Sequence, residues 1–529
     1  MPLISFDDLG KHGIVKAISD FELIPNAWSG GNNIRFAENR VKKVYGATEV
    51  FTAPSVAPYF LQYVPQPTQK LWLYAGLTAV YATDMASHYN ITGLSGPYSA
   101  TAGAKWNGTV LGGVPIINNG VDTPQSWIPV STSQVLTDLA NWPASTTARI
   151  IRSFKQFAIA LDITKSGTRY PMMVKWSHPA DPGAVPASWD ETDATKDAGE
   201  TDLAETPGFI LDAAPLGADS NLIYKSDSVY LQQYVGGQSI LSHKLLYPDF
   251  GVLATNCILP FRHKHLVVTS DDILIHRGGE PSSILTNRWR KQLFTLMDTS
   301  NYERSFLIPN YPQNEIWFFF CETGETQPRT ALIWNWTTGA LSLRNFDYDI
   351  ACGAIGVIDP AAVASNWDAD SEVWDADAEV WDYQSYDPAN TSILLGNSEA
   401  TPKLYKMEST NQFAGVNYTS YVERTGLAIV GRKRSGAYIA DPMKMKYVNL
   451  IVPKLTGSGT VNIYVGSQET IDGAVTWSPA FAFTIGTDIE ATFDVTGRFI
   501  AVKFESTDNG HWELDSYQMN VVLVGTYYG

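Results

Sequence analysis

The chain has 529 residues and a formal net charge of −17. This length can bury more than one hydrophobic core, so we expect two or three domains, and the acidity argues against tight binding to nucleic-acid backbones. A composition rich in aromatic residues, glycine and proline, with little helical periodicity, predicts an all-β protein.

The first 50 residues are predicted to form an arm with two short strands, at residues 33–36 and 41–45. Such an arm could add a strand to a closed ring of sheets, or it could dock on a neighbouring subunit. The start of the chain lacks the basic and apolar regions of a signal peptide. No apolar run reaches the ~18 residues of a membrane span, so we expect no membrane anchor.

Residues 51–410 contain seven copies of a hairpin pattern, two short apolar runs around a turn. The first runs begin at positions 71, 114, 157, 222, 266, 316 and 393, which gives steps of 43, 43, 65, 44, 50 and 77 residues. Four of the six steps match the ~40–50 residues of a propeller blade. The spacing predicts a β-propeller of six or seven blades, with a large irregular all-β domain as the alternative.

Two acidic segments fall within the two long steps and are predicted to be insertions, at about residues 189–205 and 366–387. The first has seven acids and one lysine and the second has eight acids, which gives −6 and −8, or −14 of the total −17. The first, a second candidate acidic loop, has Asp190, Glu191, Asp193, Asp197, Glu200 and Asp202. The other, the candidate acidic loop of a channel or tip, has Asp368, Asp370, Glu372, Asp375, Asp377, Glu379 and Asp382.

An aromatic repeat runs through the second acidic segment, with Trp367, Trp374 and Trp381 at a period of seven. Asp-Ala-Asp after tryptophan favours turns over helix, so we expect a series of tight turns. The segment could be a solvated loop, or it could face a polyanion or a basic patch of a partner. A calcium site is a weaker alternative because the pattern lacks the glycine and the distal glutamate of a calcium loop.

Three further patterns each have a structural and a functional interpretation. A helix is predicted to begin at Pro281 and to cover a sheet edge or bind a partner. His263 and His265 could share one strand face as zinc ligands, or belong to a hairpin turn. The basic stretch at residues 431–436 is predicted to be a solvated turn or a contact for an acidic neighbour.

Residues 411–529 are predicted to form a β-sandwich, possibly a jelly roll, because their strands alternate between polar and apolar residues. Residues 470–477 resemble the Asp-box turn of sialidases with the glycine one position early. We find no nucleophile–base, phosphate-loop or zinc-protease motif, so no catalytic residue, metal or cofactor is predicted. Three widely spaced cysteines predict reduced core residues in a protein made in a cytoplasm.

A resemblance to a known family is carried by residues 28–36, 118–127, 174–183 and 456–465, together with the Trp-Asp-x-Asp heptads. These stretches resemble the tail nozzle proteins of short-tailed bacteriophages, also described as tail hub, tail tubular or packaged-DNA stabilisation proteins. The resemblance implies a propeller-bearing subunit of a six-membered ring below the portal–adaptor complex, around the tube through which DNA leaves. The chain would then be a virion tail protein synthesised in the host cytoplasm.

Two classes of function follow as expectations. The first is a structural tail subunit that contacts the adaptor and other tail proteins, with tail fibres or spikes as further candidate partners, while double-stranded DNA passes without specific binding. The second is a glycan-binding or glycan-cleaving propeller at the host surface, for which we expect repeated Asp boxes or an arginine cluster at the propeller centre. The sequence shows neither feature.

Overall fold

The computed structural model of the chain describes residues 3–15, 19–66, 70–101, 103, 106–237, 239–358 and 391–526, and of residues 287 and 288 only the backbone. Strands dominate this part of the chain. They form a propeller followed by a β-sandwich, and the predicted fold class is confirmed. Among the described residues, no helix is long and apolar enough to cross a membrane.

The N-terminal arm is shared between the two domains. Glu38 and Asn39 both have positive φ, which produces the tight turn of a β-hairpin between its third and fourth strands. Two of its strands pair with the long C-terminal strand of the sandwich, and its last strand joins the propeller. The arm strands are β1 (Ile4–Phe6), β2 (Gly30–Asn32), β3 (Ile34–Ala37), β4 (Arg40–Lys43) and β5 (Ala47–Val50).

Seven four-stranded antiparallel sheets form the propeller blades. Blade 1 contains β6 (Phe60–Pro65), β7 (Lys70–Ala75), β8 (Val80–Thr83) and β9 (His88–Asn90). Blade 2 contains β10 (Asn107–Leu111), β11 (Val114–Asn118), β12 (Gln125–Ser126) and β13 (Thr137–Asp138). Blade 3 contains β14 (Thr146–Phe154), β15 (Phe157–Lys165), β16 (Thr168–Trp176) and β17 (Gly199–Asp202). Blade 4 contains β18 (Ile210–Pro215), β19 (Ser220–Lys225), β20 (Val229–Tyr234) and β21 (Leu241–Tyr247).

The last three blades include the described α-helix and the closure of the ring. Blade 5 contains β22 (Ile258–Phe261), β23 (Lys264–Val268), β24 (Ile273–His276) and β25 (Ser282–Ser283), and α1 (Asn287–Leu296) follows it. Blade 6 contains β26 (Phe306–Asn310), β27 (Glu315–Phe320), β28 (Thr330–Asn335) and β29 (Leu341–Asn345), with 3-10 turns at Tyr302–Arg304 and Tyr311–Gln313. Blade 7 contains β30 (Ile350–Val357), β31 (Thr391–Asn397), β32 (Leu404–Met407) and the arm strand β5.

Every predicted hairpin forms the second and third strands of one blade. The second strands lie between neighbouring blades and are mostly buried on both faces, which explains their continuous apolar runs, as in β27. The ring closes twice: β30 of blade 7 packs against β6 of blade 1, and β5 pairs with β32. Pairing of Val50 with Leu404 thereby joins the start of the chain to the last blade.

The antiparallel order of each blade defines two faces of the propeller. Turns between the second and third strands, and connections from one blade to the next, lie on one face, which we call the mouth face. Turns between the first and second strands and between the third and fourth strands lie on the other, which we call the back face. The long connections at residues 177–198 and 358–390 join strands at the back face.

Two sequence predictions are wrong in detail. Part of the segment at residues 189–205 is a blade strand, because β17 pairs with β16 as the fourth strand of blade 3. Its acids can enter a sheet since Glu200 lies within 2.5 Å of Lys165 and 3.0 Å of Lys175. The predicted helix begins at Asn287, later than Pro281, because Ser282 and Ser283 pair with β24 as the outer strand of blade 5.

The sandwich consists of two six-stranded sheets. One has the order β3-β4-β42-β36-β40 with β1 on β42, and the other has β2-β33-β41-β37-β38 with β39 on β37. Val422, Ile463, Phe504 and Leu514 fill its core. The C-terminal strands are β33 (Ser420–Leu427), β34 (Ile429–Arg432), β35 (Tyr438–Ala440), β36 (Lys444–Gly457), β37 (Thr460–Gln468), β38 (Thr476–Trp477), β39 (Phe481–Thr484), β40 (Ala491–Gly497), β41 (Phe499–Ser506) and β42 (Trp512–Thr526).

Candidate functional site at the mouth of the propeller channel

The first strands of all seven blades surround a central channel with a cavity of about 330 Å³. An ion pair crosses it, because Arg152 of blade 3 reaches Asp212 of blade 4 with nitrogen–oxygen distances of 2.7 and 3.0 Å. The same guanidinium donates to Asn256 Oδ1 at 2.9 Å, and the Asn256 backbone N–H donates to Asp212 at 2.8 Å. Side chains from blades 3 and 4 and from the connection into blade 5 therefore project into the channel and narrow it.

A second cavity of about 380 Å³, which we call the mouth cleft, opens on the mouth face. Blades 2 and 3 supply most of its lining, and the connections leading into blades 2, 5 and 6 complete it. Its charged side chains are Arg149, Asp162, Arg169 and Glu303.

A β-bulge positions the buried acid of the mouth cleft. The register of β15 and β16 shifts between Leu161 and Ile163, and Asp162 has a φ of 56°. Its two carboxylate oxygens accept hydrogen bonds from Arg169 at 2.8 and 2.6 Å. These hydrogen bonds raise the pKa of the Arg169 guanidinium despite the opposing effect of burial.

The other arginine of the mouth cleft has longer contacts. Arg149 lies 3.5 Å from Glu303 and 3.9 Å from Asp162. Both Arg149 and Arg169 have their guanidinium carbons 5.9 Å from the centre of the Phe209 ring, a cation–π distance. One aromatic ring thus orients two cations beside two carboxylates.

None of the acidic residues predicted as site candidates is among the described lining residues of this cleft. Asp368, Asp370, Glu372, Asp375, Asp377, Glu379, Asp382, Trp367, Trp374 and Trp381 all lie outside the described residues. The described strands on either side of them, β30 and β31, end and begin at the back face. The segment at residues 189–205 is also attached there, through the connection between β16 and β17.

Lysines neutralise part of the first acidic segment. Glu191 pairs with Lys175, which is 1% exposed, and lies 3.8 Å from Lys165. Burial raises the pKa of the Glu191 carboxyl, but the hydrogen bond and charge of Lys175 outweigh it and hold the pKa below its usual value. The remaining candidates, Asp190, Asp193, Asp197 and Asp202, are not among the described ion pairs with lysine or arginine.

Of the two histidines considered as zinc ligands, one lies in a turn and the other in the strand that follows it. His263 lies in the turn with a φ of 58°, while His265 is buried in β23. The His265 ring contacts the Tyr224 hydroxyl at 2.8 Å and the Pro215 carbonyl at 2.9 Å, which occupies both nitrogens. Within the described ranges, no three His, Cys, Asp or Glu side chains are grouped to hold a metal ion.

Sequence reasoning missed the arginines at the propeller centre. Arg149, Arg152 and Arg169 converge there from the first and third strands of blade 3. They are not adjacent in sequence, so only the pairing of β14, β15 and β16 brings them together. A charged residue next to an apolar pair in an inner strand, such as Arg152 after Ile150 and Ile151, is the available sequence signal.

No family model matches the chain, and no curated protein matches it. Among solved structures, the WD40 β-propeller domain of Doa1 is similar over 68% of this chain and 96% of its own, at 11% identity and a TM-score of 0.36. BBS1N, solved with ARL6DN, is similar over 69% and 98%, at 9% identity and a TM-score of 0.39. A fungal alcohol oxidase of the AA5 family, in complex with copper, is similar over 89% and 93%, at 10% identity and a TM-score of 0.39. At such low identity and TM-score, these likenesses carry no argument about function.

Proposed function

We propose that this chain is a structural subunit of a bacteriophage tail that performs no chemistry. Six copies form the nozzle ring below the portal–adaptor complex, where the ring retains packaged DNA and frames the channel for its ejection. The adaptor and other tail proteins are its partners. Residues 28–36, 118–127 and 174–183 carry the resemblance on which this identification rests.

The joint between the two domains gives the best support for a structural role. Arg35 of the arm contacts Glu315 of blade 6 at 2.5 and 2.9 Å and Glu408, which follows β32, at 2.9 Å. Glu408 also accepts from Arg344 of blade 6 at 2.6 Å. Burial raises the pKa of Glu408, but the charges of both arginines outweigh it and keep the carboxyl ionised. This network favours one fixed arrangement of propeller and sandwich, as a subunit under DNA pressure requires.

The obstructed propeller channel restricts where DNA can pass in such a ring. A cavity of about 330 Å³ holds only about ten waters at ~30 Å³ each, far less than a duplex requires. The DNA conduit therefore lies between the subunits, around the ring axis, and each propeller contributes part of its wall.

Native mass spectrometry of the full chain, alone and with its portal–adaptor complex, tests this proposal. We expect a mass of six chains, and electron microscopy of the same sample should show a ring with an open centre. A chain that stays monomeric in both samples contradicts the ring.

The mouth cleft favours a second candidate function, a glycan-binding propeller at the host surface. Arg149 and Arg169 line the cleft and Arg152 lies in the neighbouring channel cavity, and such a group of arginines supports this candidate. Binding of glycans by a monomeric chain would support it over the ring.

A further inference from the structure

The mouth cleft contains an arginine, Arg149, whose N–H groups can donate further hydrogen bonds. Charge-assisted hydrogen bonds to carboxylates are usually ~2.7–2.9 Å long. Arg169 meets that range through Asp162, whereas the described carboxylates around Arg149 lie at 3.5 and 3.9 Å. Arg149 is 33% exposed and lines the cleft, so its guanidinium can bind an anionic oxygen there.

Acceptors lie beside this cation. Glu303 enters the cleft from the connection between blades 5 and 6, and its side chain is 44% exposed. Thr164 of β15 adds a hydroxyl to the lining. A ligand that spans the cleft therefore meets a guanidinium, a carboxylate and a hydroxyl.

We propose that the mouth cleft binds a saccharide that has a single carboxylate. Arg149 receives the carboxylate, while Glu303 and Thr164 bind ring hydroxyls, which can both donate and accept. The cavity of about 380 Å³ is within the size range of small-ligand sites.

The charge balance of the cleft favours a singly charged ligand. Its described lining contains two arginines and two carboxylates, so their formal charges cancel. A phosphate monoester, with about −1.5 to −2 charges at neutral pH, would place a second charge against Asp162 and Glu303. A saccharide with one carboxylate needs only one cation. Arg149 can supply it, because the described carboxylates of the cleft lie 3.5 and 3.9 Å from its guanidinium. This binding function specifies the ligand class of the second candidate function and does not depend on the proposed ring.

Glucuronic acid and glucose form the matched pair of probes, because they differ at one carbon that is a carboxylate in the first and a hydroxymethyl in the second. We expect the full chain to bind glucuronic acid in ligand-observed NMR titrations and to bind glucose at least tenfold more weakly. No binding of glucuronic acid, or equal binding of the two sugars, overturns the proposal.

Arg149→Met tests the assigned residue, because methionine retains the apolar part of the side chain and removes the guanidinium. We expect at least a tenfold loss of glucuronic acid affinity. Arg40→Met is the matched control: Arg40 is 39% exposed, pairs with Glu513 at 3.1 Å and lies in the sandwich, so affinity should not change. An unchanged affinity in Arg149→Met, or an equal loss in Arg40→Met, overturns the assignment.

Arg149→Lys is a second test that can be used if Arg149→Met does not fold. Lysine retains the charge without the two-pronged geometry, so we expect a smaller loss than in Arg149→Met. If only the lysine variant folds, an affinity equal to that of the unmodified chain rejects the guanidinium as the carboxylate ligand. Native mass measured on the same variants separates this site from the ring, because its loss should leave the oligomer intact.

Discussion

At the scale of single residues, the buried charged side chains that join the two domains are paired with side chains of opposite charge. Arg35 and Glu315 are 4% and 2% exposed, and the Glu315 carboxylate also accepts the indole N–H of Trp317 at 3.0 Å. Removing one partner leaves the other as an uncompensated buried charge, which costs far more than losing an exposed pair.

Glu315→Ala is therefore expected to lower the free energy of unfolding by about 3–5 kcal/mol in urea denaturation. Glu38→Ala is the control, because Glu38 is 74% exposed and its pair with Lys42 should contribute about 0–1 kcal/mol. Equal effects of the two substitutions would argue against a stabilising network at the joint.

Buried histidines give the protein a predictable pH dependence. His276 contacts the Tyr224 hydroxyl at 2.9 Å, and burial followed by the proximity of His265 lowers the pKa of His276 to about 4. The folded state therefore binds the proton more weakly than the unfolded chain, whose histidines titrate near 6.5. Stability is fully present above pH 6.5 and is lost as the pH falls towards 4.

Between pH 7 and pH 5 we expect this histidine to cost about 2 kcal/mol of unfolding free energy. Urea denaturation at several pH values measures the slope, and His276→Gln should make it shallower. A slope that is the same in both proteins would show that His276 is not the titrating group.

At the scale of elements, a blade strand is fixed by strand pairing and packing, whereas a long connection is fixed at its two ends. β17 is bound to β16 over four residue pairs, and a Cβ at Gly199 would lie 2.4 Å from the Trp176 ring. The connection after β30 begins and ends at paired residues, since Val357 lies opposite Thr391. A short loop can bridge two such neighbours without disturbing the sheet.

Deleting residues 366–387 should therefore change the free energy of unfolding by less than about 1 kcal/mol, as surface changes usually do. Deleting residues 199–202 is the contrasting variant, and we expect it to unfold blade 3. A large loss of thermal stability in the first deletion would show that the tryptophan repeat packs into a core.

At the scale of the whole molecule, the points at which the two acidic segments are attached bear on where DNA can pass. Both acidic segments, which hold −14 of the −17 charges, are attached at the back face, and the mouth cleft lies on the opposite face. Duplex DNA has one phosphate charge per ~1.7 Å, so a basic wall would bind DNA where it must slide, and an acidic wall repels it.

Asp368→Lys with Asp375→Lys tests whether the second acidic segment faces the DNA conduit. Assembled particles should then eject DNA more slowly, most visibly at low salt, where screening is weakest. Glu469→Lys with Glu490→Lys makes the same charge change in the sandwich and should have no effect. Unchanged ejection at low salt, with assembly intact, removes the acidic wall and leaves the structural role in place.

The sequence by itself determined the all-β class, the seven hairpins and most sandwich strands. Each depends on a local pattern: continuous apolar runs where strands are buried on both faces, as in β27, and alternation where one face is wet, as in β37. Only the tertiary structure decided where the arm strands pair, that β17 belongs to blade 3, and that Arg149 and Arg169 share a cleft with Glu303. These depend on contacts between distant segments, such as Arg35 and Glu315 at a separation of 280 residues, which no local pattern encodes.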